Sequence, residues 1–385
     1  MKLFQTMPCR VKSYEAALNG FEKTDTYLIA FNDICNGGKE ILIPAGYTDY
    51  VGSFLYIPYI SNTLNLNVEI VTTFFYIFYG LICISLSLLG LYRFYETKPA
   101  LIHGTLSIIG IGLICIFISD TYSFYGLTSL GLITWWSKIK ILLKKIDSKR
   151  LIFFAFTGLL IGFSNTVRGN SGTDIFLSIS CVLILYSYIN RSFYKFYIII
   201  LILAPILFIN YQIDLLKNKS RNYLIENTDV QKVYDLNFVR AIWHNAYYGL
   251  GYLSINNEDV PEPSDTYSVK KAKEIKPDVI YYSKEYEKIL KNEYFNFVKN
   301  YPFLYIKIIF SKAGLILFYF VFFLNIGIYF LFKNKLKSET ILFFGSGIIF
   351  NSLFGILAEP DYTYLLGLFA YSGLLGTKLI EDYFQ

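Results

Sequence analysis

Residues 70–92 read IVTTFFYIFYGLICISLSLLGLY, with no charged side chain among them. As an α-helix rising about 1.5 Å per residue, such a run spans roughly 34 Å. The hydrocarbon core of a bilayer is about 30 Å thick, so this stretch predicts a transmembrane helix. Runs of the same kind recur at 101–119, 151–167, 196–211, 313–332, 341–357 and 362–380. Two more are weaker: 122–136 carries several Gly, Ser and Thr residues, and 175–189 is short. Together they predict nine spans.

Composition agrees. The 385-residue chain is 54% hydrophobic and only 17% charged, against roughly 25% charged in a soluble domain. Aromatic residues make up 19%, and the mean hydropathy is +0.43. These values exclude a disordered chain and a soluble enzyme. The fold class expected is an all-α polytopic membrane protein of about nine helices with water-facing segments.

Loop charge tests the count, because cytoplasmic loops collect Lys and Arg. Arg93 and Lys98 follow the first predicted span, and Lys138, Lys140, Lys144, Lys145, Lys149 and Arg150 the third. Arg191 and Lys195 follow the fifth, and Lys333, Lys335 and Lys337 the seventh. Every second loop is basic, so the alternation supports all nine spans. The intervening loops carry Asp120, then Arg168 with Asp174, then Glu359 with Asp361. The organisation expected is an extracytoplasmic segment at 1–69, a six-span bundle at 70–211, an extracytoplasmic loop at 212–305 and a three-span bundle at 306–385. Residues 1–69 hold no apolar signal core. Their export implies either a first helix missing from this chain or a re-entrant, interfacial N-terminus.

The two external segments carry their own patterns. Tyr27, Ile29, Ala30, Ile34 and Gly37 follow Asp25 at helical spacing, and Gly37-Gly38 ends the run. The aromatic stretch 54–60, broken by Pro58, reads as interfacial. Farther on, Tyr286, Ile289, Leu290, Tyr294, Phe297 and Val298 recur at i, i+3 and i+4, which predicts a helix from about 283 to 300. That helix suits either lipid headgroups or packing on its own loop. One tetrapeptide recurs around Asp25, Asp120 and Asp265, as Thr/Ser-Asp-Thr-Tyr, with unrelated flanks.

The excluded chemistries are clear. The net charge of +6 is what basic loops supply, and no soluble basic domain exists to bind nucleic acid. There is no P-loop and no GxGxxG. No two His or Cys stand at zinc spacing. Cys83, Cys115 and Cys181 lie in apolar runs, where Cys acts as a small hydrophobe. Cys9 and Cys35 could pair in an oxidising compartment.

At this level the chain resembles the integral-membrane glycosyltransferase C superfamily, which includes protein O-mannosyltransferases and lipid A aminoarabinose transferases. Asp25 followed by Tyr27, Ala30 and Gly37 is similar to the early Asp of that family's first external loop. Asp120, ahead of 122–136, resembles its second acid before an amphipathic re-entry. Gly158-x3-Gly162 leading to Arg168-Gly169-Asn170 resembles its Gly-rich helix ending in Arg. The chain departs from the pattern in three ways: the first helix is absent, Asp25 and Asp33 stand eight apart instead of adjacent, and the distal loop is small. Trp243-His244-Asn245-x-Tyr247-x-Gly249-Leu250-Gly251 also looks like a motif of bacterial membrane proteins of this broad type.

The resemblance implies transfer of a sugar from a polyprenyl-phosphate carrier to a glycan or lipid acceptor, on the extracytoplasmic side of the bacterial inner membrane. Asp25 is then the expected base, with Asp33 the alternative acid. A carboxylate can take a hydroxyl proton if partly desolvated and within hydrogen-bond reach. The competing reading of Asp25 is a helix N-cap. Asp120 would orient the acceptor or bind a divalent cation, Mg or Mn; its competing reading is a capped loop residue. Arg168, a planar cationic fork, would hold the lipid phosphate unless it only snorkels. Lys312 has the same two readings, and His244 is a further phosphate or metal candidate. His103 reads as structural. The alternative functions are a polysaccharide or lipid-linked-sugar transporter without transferase chemistry, or an inactive relative.

Overall fold

The computed structural model describes residues 8–31, 41–47, 50–137, 147–189, 196–230, 235–236, 241–253 and 260–385. Among these the helices are α1 (Pro8–Thr24), α2 (Val51–Leu64), α3 (Val68–Phe94), α4 (Lys98–Ile118), α5 (Ser123–Trp136), α6 (Ser148–Val167), α7 (Thr173–Ile189) and α8 (Phe196–Asn227). They continue as α9 (Ile242–Tyr248), α10 (Asp265–Ile275), α11 (Lys284–Asn300), α12 (Pro302–Leu324), α13 (Gly327–Lys333), α14 (Ser338–Leu357) and α15 (Leu366–Phe384). The protein is an all-α polytopic membrane protein. Six helices, α3, α4, α6, α8, α12 and α14, are long and apolar enough to cross a membrane.

The other three predicted spans fall on α5, α7 and α15. With 14 residues, α5 reaches only about 21 Å. Nearly every residue of α5 is buried, and so is α15 from Leu366 to Glu381. These two helices pack on each other inside the bundle, α5 covered by α3 and α4 and α15 by α4, α12, α13 and α14. The predicted span 313–332 is also redrawn: α12 begins at Pro302 and stops at Asn325, whose φ of 53° breaks it from α13. The helix predicted to end near 211 runs on to Asn227.

Close packing explains one sequence feature. A Cβ at Gly158 would collide with the Ile202 carbonyl, and one at Gly162 would lie 3.2 Å from the Ile206 Cα. The small-xxx-small pair therefore lets the backbones of α6 and α8 touch.

The described residues between 8 and 64 form a unit around α1, α2 and the antiparallel strands β1 (Ile29–Phe31) and β2 (Leu42–Pro44). Tyr14, Leu28, Ile29 and Ile57 form its core with Ile213 and Leu224 from the polar half of α8. Pro58 lies inside α2 and is buried, so that stretch packs on protein. Cys9 is disulfide-bonded; Cys35, Asp33 and Gly37-Gly38 lie outside the described residues. So do the basic residues between 138 and 145, Arg191 and Lys195. Cys83 and Cys115 are buried free thiols, and Cys181 is a half-buried one.

A second unit, α9 to α11, gathers Tyr247, Leu250, Ala272, Tyr286 and Leu290 into its own core. This decides the reading of α11. Its apolar stripe packs on its own loop.

Candidate functional site

Three connections meet at one end of the bundle: α4 to α5, α6 to α7, and α14 to α15. Asp120 lies in the first and is 2% exposed. Its Oδ1 accepts from the Thr121 amide and, at 2.8 Å, from the Thr121 hydroxyl. The Arg10 Nε of α1 stands 3.5 Å from the same oxygen. The Asp120 Oδ2 is buried without a hydrogen-bond partner.

Arg168, in the second connection, is 4% exposed. Its Nε donates to the Tyr125 hydroxyl at 3.1 Å, and that hydroxyl donates to the Gly169 carbonyl at 3.1 Å. The guanidinium carbon lies 4.1 Å from the centre of the Tyr122 ring and 4.8 Å from that of Tyr50. Arg10 stacks on the same Tyr50 ring at 4.5 Å. This burial rules out snorkelling for Arg168, because its head is held inside a box of tyrosines.

Two cavities open at this cluster and share Tyr364. One, of about 280 Å³, has Arg168 and Asn170 at one side and Phe350, Leu353, Phe354 and Leu357 of α14 at the other. The second, of about 730 Å³, is lined by Asp120, Tyr122, Tyr248, Glu359 and Asp361. Between them the Tyr122 and Tyr364 hydroxyls lie 3.2 Å apart. Burial raises the Glu359 carboxyl above the ordinary carboxylate range, and neighbouring Lys312 partly offsets this. An apolar chamber with one cation thus adjoins a polar chamber with three acids.

The other expected site residues are placed differently. Asp25 is exposed. It ends a helix instead of starting one: its amide donates to the Phe21 carbonyl at 2.7 Å, its φ is 51°, and β1 follows. Of the residues at helical spacing after Asp25, Ile29 and Ala30 lie in a strand and Ile34 lies outside the described residues, so Asp25 does not stand at the start of a helix. Asp25 does not line either cavity.

Lys312 is 1% exposed. Its ammonium donates to the Ile356 carbonyl at 3.1 Å and to the Ala358 carbonyl. These are orphan acceptors at the end of α14, where a cation satisfies both the carbonyls and the helix dipole. Lys312 therefore caps the end of α14. Lys312→Met is expected to cost about 1.5–3 kcal/mol of stability, the worth of a charged hydrogen bond. A thermal melt checks it, and an unchanged transition would return Lys312 to ligand binding.

His244 has both ring nitrogens engaged. Nδ1 lies 2.6 Å from the Tyr286 hydroxyl, and Nε2 lies 2.9 Å from Asp265 Oδ1. The hydrogen bond from His244 holds the Asp265 carboxyl below its usual range. No nitrogen is left for phosphate or metal, and His244 organises the α9–α11 unit. Glu287 completes that unit by accepting from the Trp243 and His244 amides at 2.8 and 3.2 Å. It serves the start of α9 in place of Ala241, which has no side chain for the task. Burial raises the Glu287 carboxyl, and these two bonds oppose the shift. Gly249, in the same motif, lies where a Cβ would strike the Ala358 carbonyl. The motif thus seats α9 on the end of α14 that Lys312 caps.

A divalent cation does not fit at Asp120. One carboxylate oxygen is taken by Thr121 and faces Arg10. Among the described residues, no three His, Cys, Asp or Glu side chains converge on a point.

Arg10, Tyr50, Glu359, Asp361 and Tyr364 were not legible as site residues. The first two lie far from Asp120 in sequence. The acids read only as loop charge, although their position at the end of a span was a usable signal. No family model, curated protein or solved structure matches the chain.

Proposed function

We propose that this protein is a membrane glycosyltransferase that moves a sugar from a polyprenyl-phosphate carrier to a cell-envelope glycan or lipid acceptor. The observation that carries the reading is that Asp120 lines the polar cavity and has a buried Oδ2 without a hydrogen-bond partner among the described residues. A buried carboxylate oxygen without a donor is costly, and an acceptor hydroxyl entering the cavity supplies the missing hydrogen bond. Arg168 supports the reading from the other side. A desolvated guanidinium at the edge of an apolar chamber suits a phosphate that carries a hydrocarbon tail.

In this reading the acceptor oxygen bonds to the anomeric carbon of the sugar. The bond from that carbon to the carrier phosphate oxygen breaks, and its electron pair leaves with the phosphate. The acceptor proton passes to Asp120. Arg168 meets the charge that grows on the leaving phosphate. Glu359 and Asp361 accept hydrogen bonds from sugar hydroxyls, and the tyrosines offer rings to its apolar face. The base is thus Asp120 instead of Asp25. The reading includes all nine predicted helices, with the site on the extracytoplasmic face of a bacterial inner membrane.

A transporter reading starts from Asp174. That acid is 2% exposed and takes hydrogen bonds from Ser129 at 2.5 Å and Asn351 at 3.0 Å. Purified protein in liposomes separates the two. A transferase releases free polyprenyl phosphate from a radiolabelled polyprenyl-phosphate sugar when an envelope extract is added. Movement of intact donor across the liposome, with the sugar–phosphate bond unbroken, would establish transport and sink the transferase.

A further inference from the structure

One stripe of α4 runs from half-buried His103 and Ser107 to exposed Gly110 and Ile114. His103, Ser107, Gly110 and Ile114 line a groove of about 550 Å³, with Phe322 and Asn325 from the α12 side as its other wall. Ile114 also lines the polar cavity, followed by Phe117, Ile118 and then Asp120. These α4 positions recur every three or four residues, so they lie on one helical face. From 103 to 118 that face runs about 22 Å, and it ends at the carboxylate assigned as base. No charged side chain lines the groove. At its far end His103 is tied to the Thr377 hydroxyl at 3.0 Å.

The groove is separate from the apolar chamber at Arg168, which lies on the other side of Tyr364. Two apolar passages therefore converge on one polar cavity, one past a cation and one past a base.

We infer that the acceptor is itself a lipid, whose hydrocarbon chain lies in the groove between α4 and α12 and whose headgroup hydroxyl reaches Asp120. This rests on the transferase reading, in which the Arg168 chamber takes the carrier. The continuity through Ile114 commits the occupant. A soluble glycan has no use for a passage of about 22 Å between apolar helices, whereas a chain anchored in the bilayer enters along it.

Gly110 provides the test, because a Cβ built there meets nothing within 4 Å. Gly110→Leu fills the groove and improves helix propensity, so the fold is kept. The probe is a hexadecyl glucoside with a diazirine in its chain, presented to the full-length protein in phosphatidylethanolamine–phosphatidylglycerol vesicles. Labelling is expected at Ser107 and Ile114 and is competed by excess unlabelled hexadecyl glucoside. Gly110→Leu is expected to weaken it about tenfold, roughly the loss of contact for two methylenes. Labelling that is neither competed nor sensitive to Gly110→Leu would mark ordinary bilayer contact and overturn the proposal. Competition by polyprenyl phosphate alone would give the groove to the carrier and overturn it equally. The readout is binding, so it can fail while transfer at Asp120 stands, and it can succeed if the transferase assay fails.

Discussion

Asp120→Asn is expected to lower sugar transfer by about 10²–10⁴, the usual worth of a general base. Asn keeps the size of the side chain and the oxygen that Thr121 donates to, but it cannot accept a proton. The substitution also removes the charge opposite Arg10. Breaking a fully buried pair is strongly destabilising; here Arg10 retains 18% side-chain exposure, so water meets part of the loss. Arg10→Gln separates the two effects. It removes the same ion pair and leaves the carboxylate, so it should melt much like Asp120→Asn while keeping most of its transfer. Equal loss of transfer in both variants would reduce Asp120 to a partner of Arg10 and move the base to Glu359, which lines the same cavity.

Arg168→Ala is expected to reduce transfer by about 10²–10³, the effect of deleting one preorganised donor to a developing anion. The loss should appear in the KM for the polyprenyl-phosphate donor as well as in kcat, because the phosphate is charged before and after the step. Arg168→Lys should recover little of it. Lysine offers a point charge where the phosphate meets a fork, and it cannot stack flat on Tyr122 and Tyr50. Alanine also forfeits desolvated cation–π contacts worth about 2 kcal/mol, so melting is measured alongside. An earlier melt with an unchanged donor KM would make Arg168 a prop for the tyrosines and end its phosphate role.

The family resemblance singled out both residues in the sequence, and one physical argument covers them. A charge at the end of an apolar run is expensive in a membrane unless a cavity or a partner receives it. That argument needs no fold, and it applies to Asp120, Arg168 and Lys312 alike. It could not separate them, because it says nothing about the partner. Lys312 meets the carbonyls that end α14, whereas Asp120 lines a cavity and has a buried oxygen without a hydrogen-bond partner. The same limit applies to His244, whose partners Asp265 and Tyr286 lie 21 and 42 residues away. The helical reading after Asp25 failed at a shorter range. Ile29, Ala30 and Ile34 fit helical spacing, but pairing with Leu42–Pro44 makes 29–31 a strand, and local periodicity carries no record of a partner strand.

What the sequence determined by itself is the solvent. Long uncharged runs must leave water, and with every backbone group needing an internal partner only helices satisfy them there. That predicts nine spans and the all-α class; among the described residues six helices are long and apolar enough to cross. Tertiary structure decided which apolar helices face lipid and which fill the centre. The short α5 and the C-terminal helix α15 are buried because α3, α4 and α6 cover the first and α4, α12, α13 and α14 the second. It also decided the site, since a cavity is the space that several separate segments fail to fill. Arg10 on α1, Asp120 after α4, Arg168 after α6 and Tyr364 before α15 become neighbours only when the helices carrying them have packed.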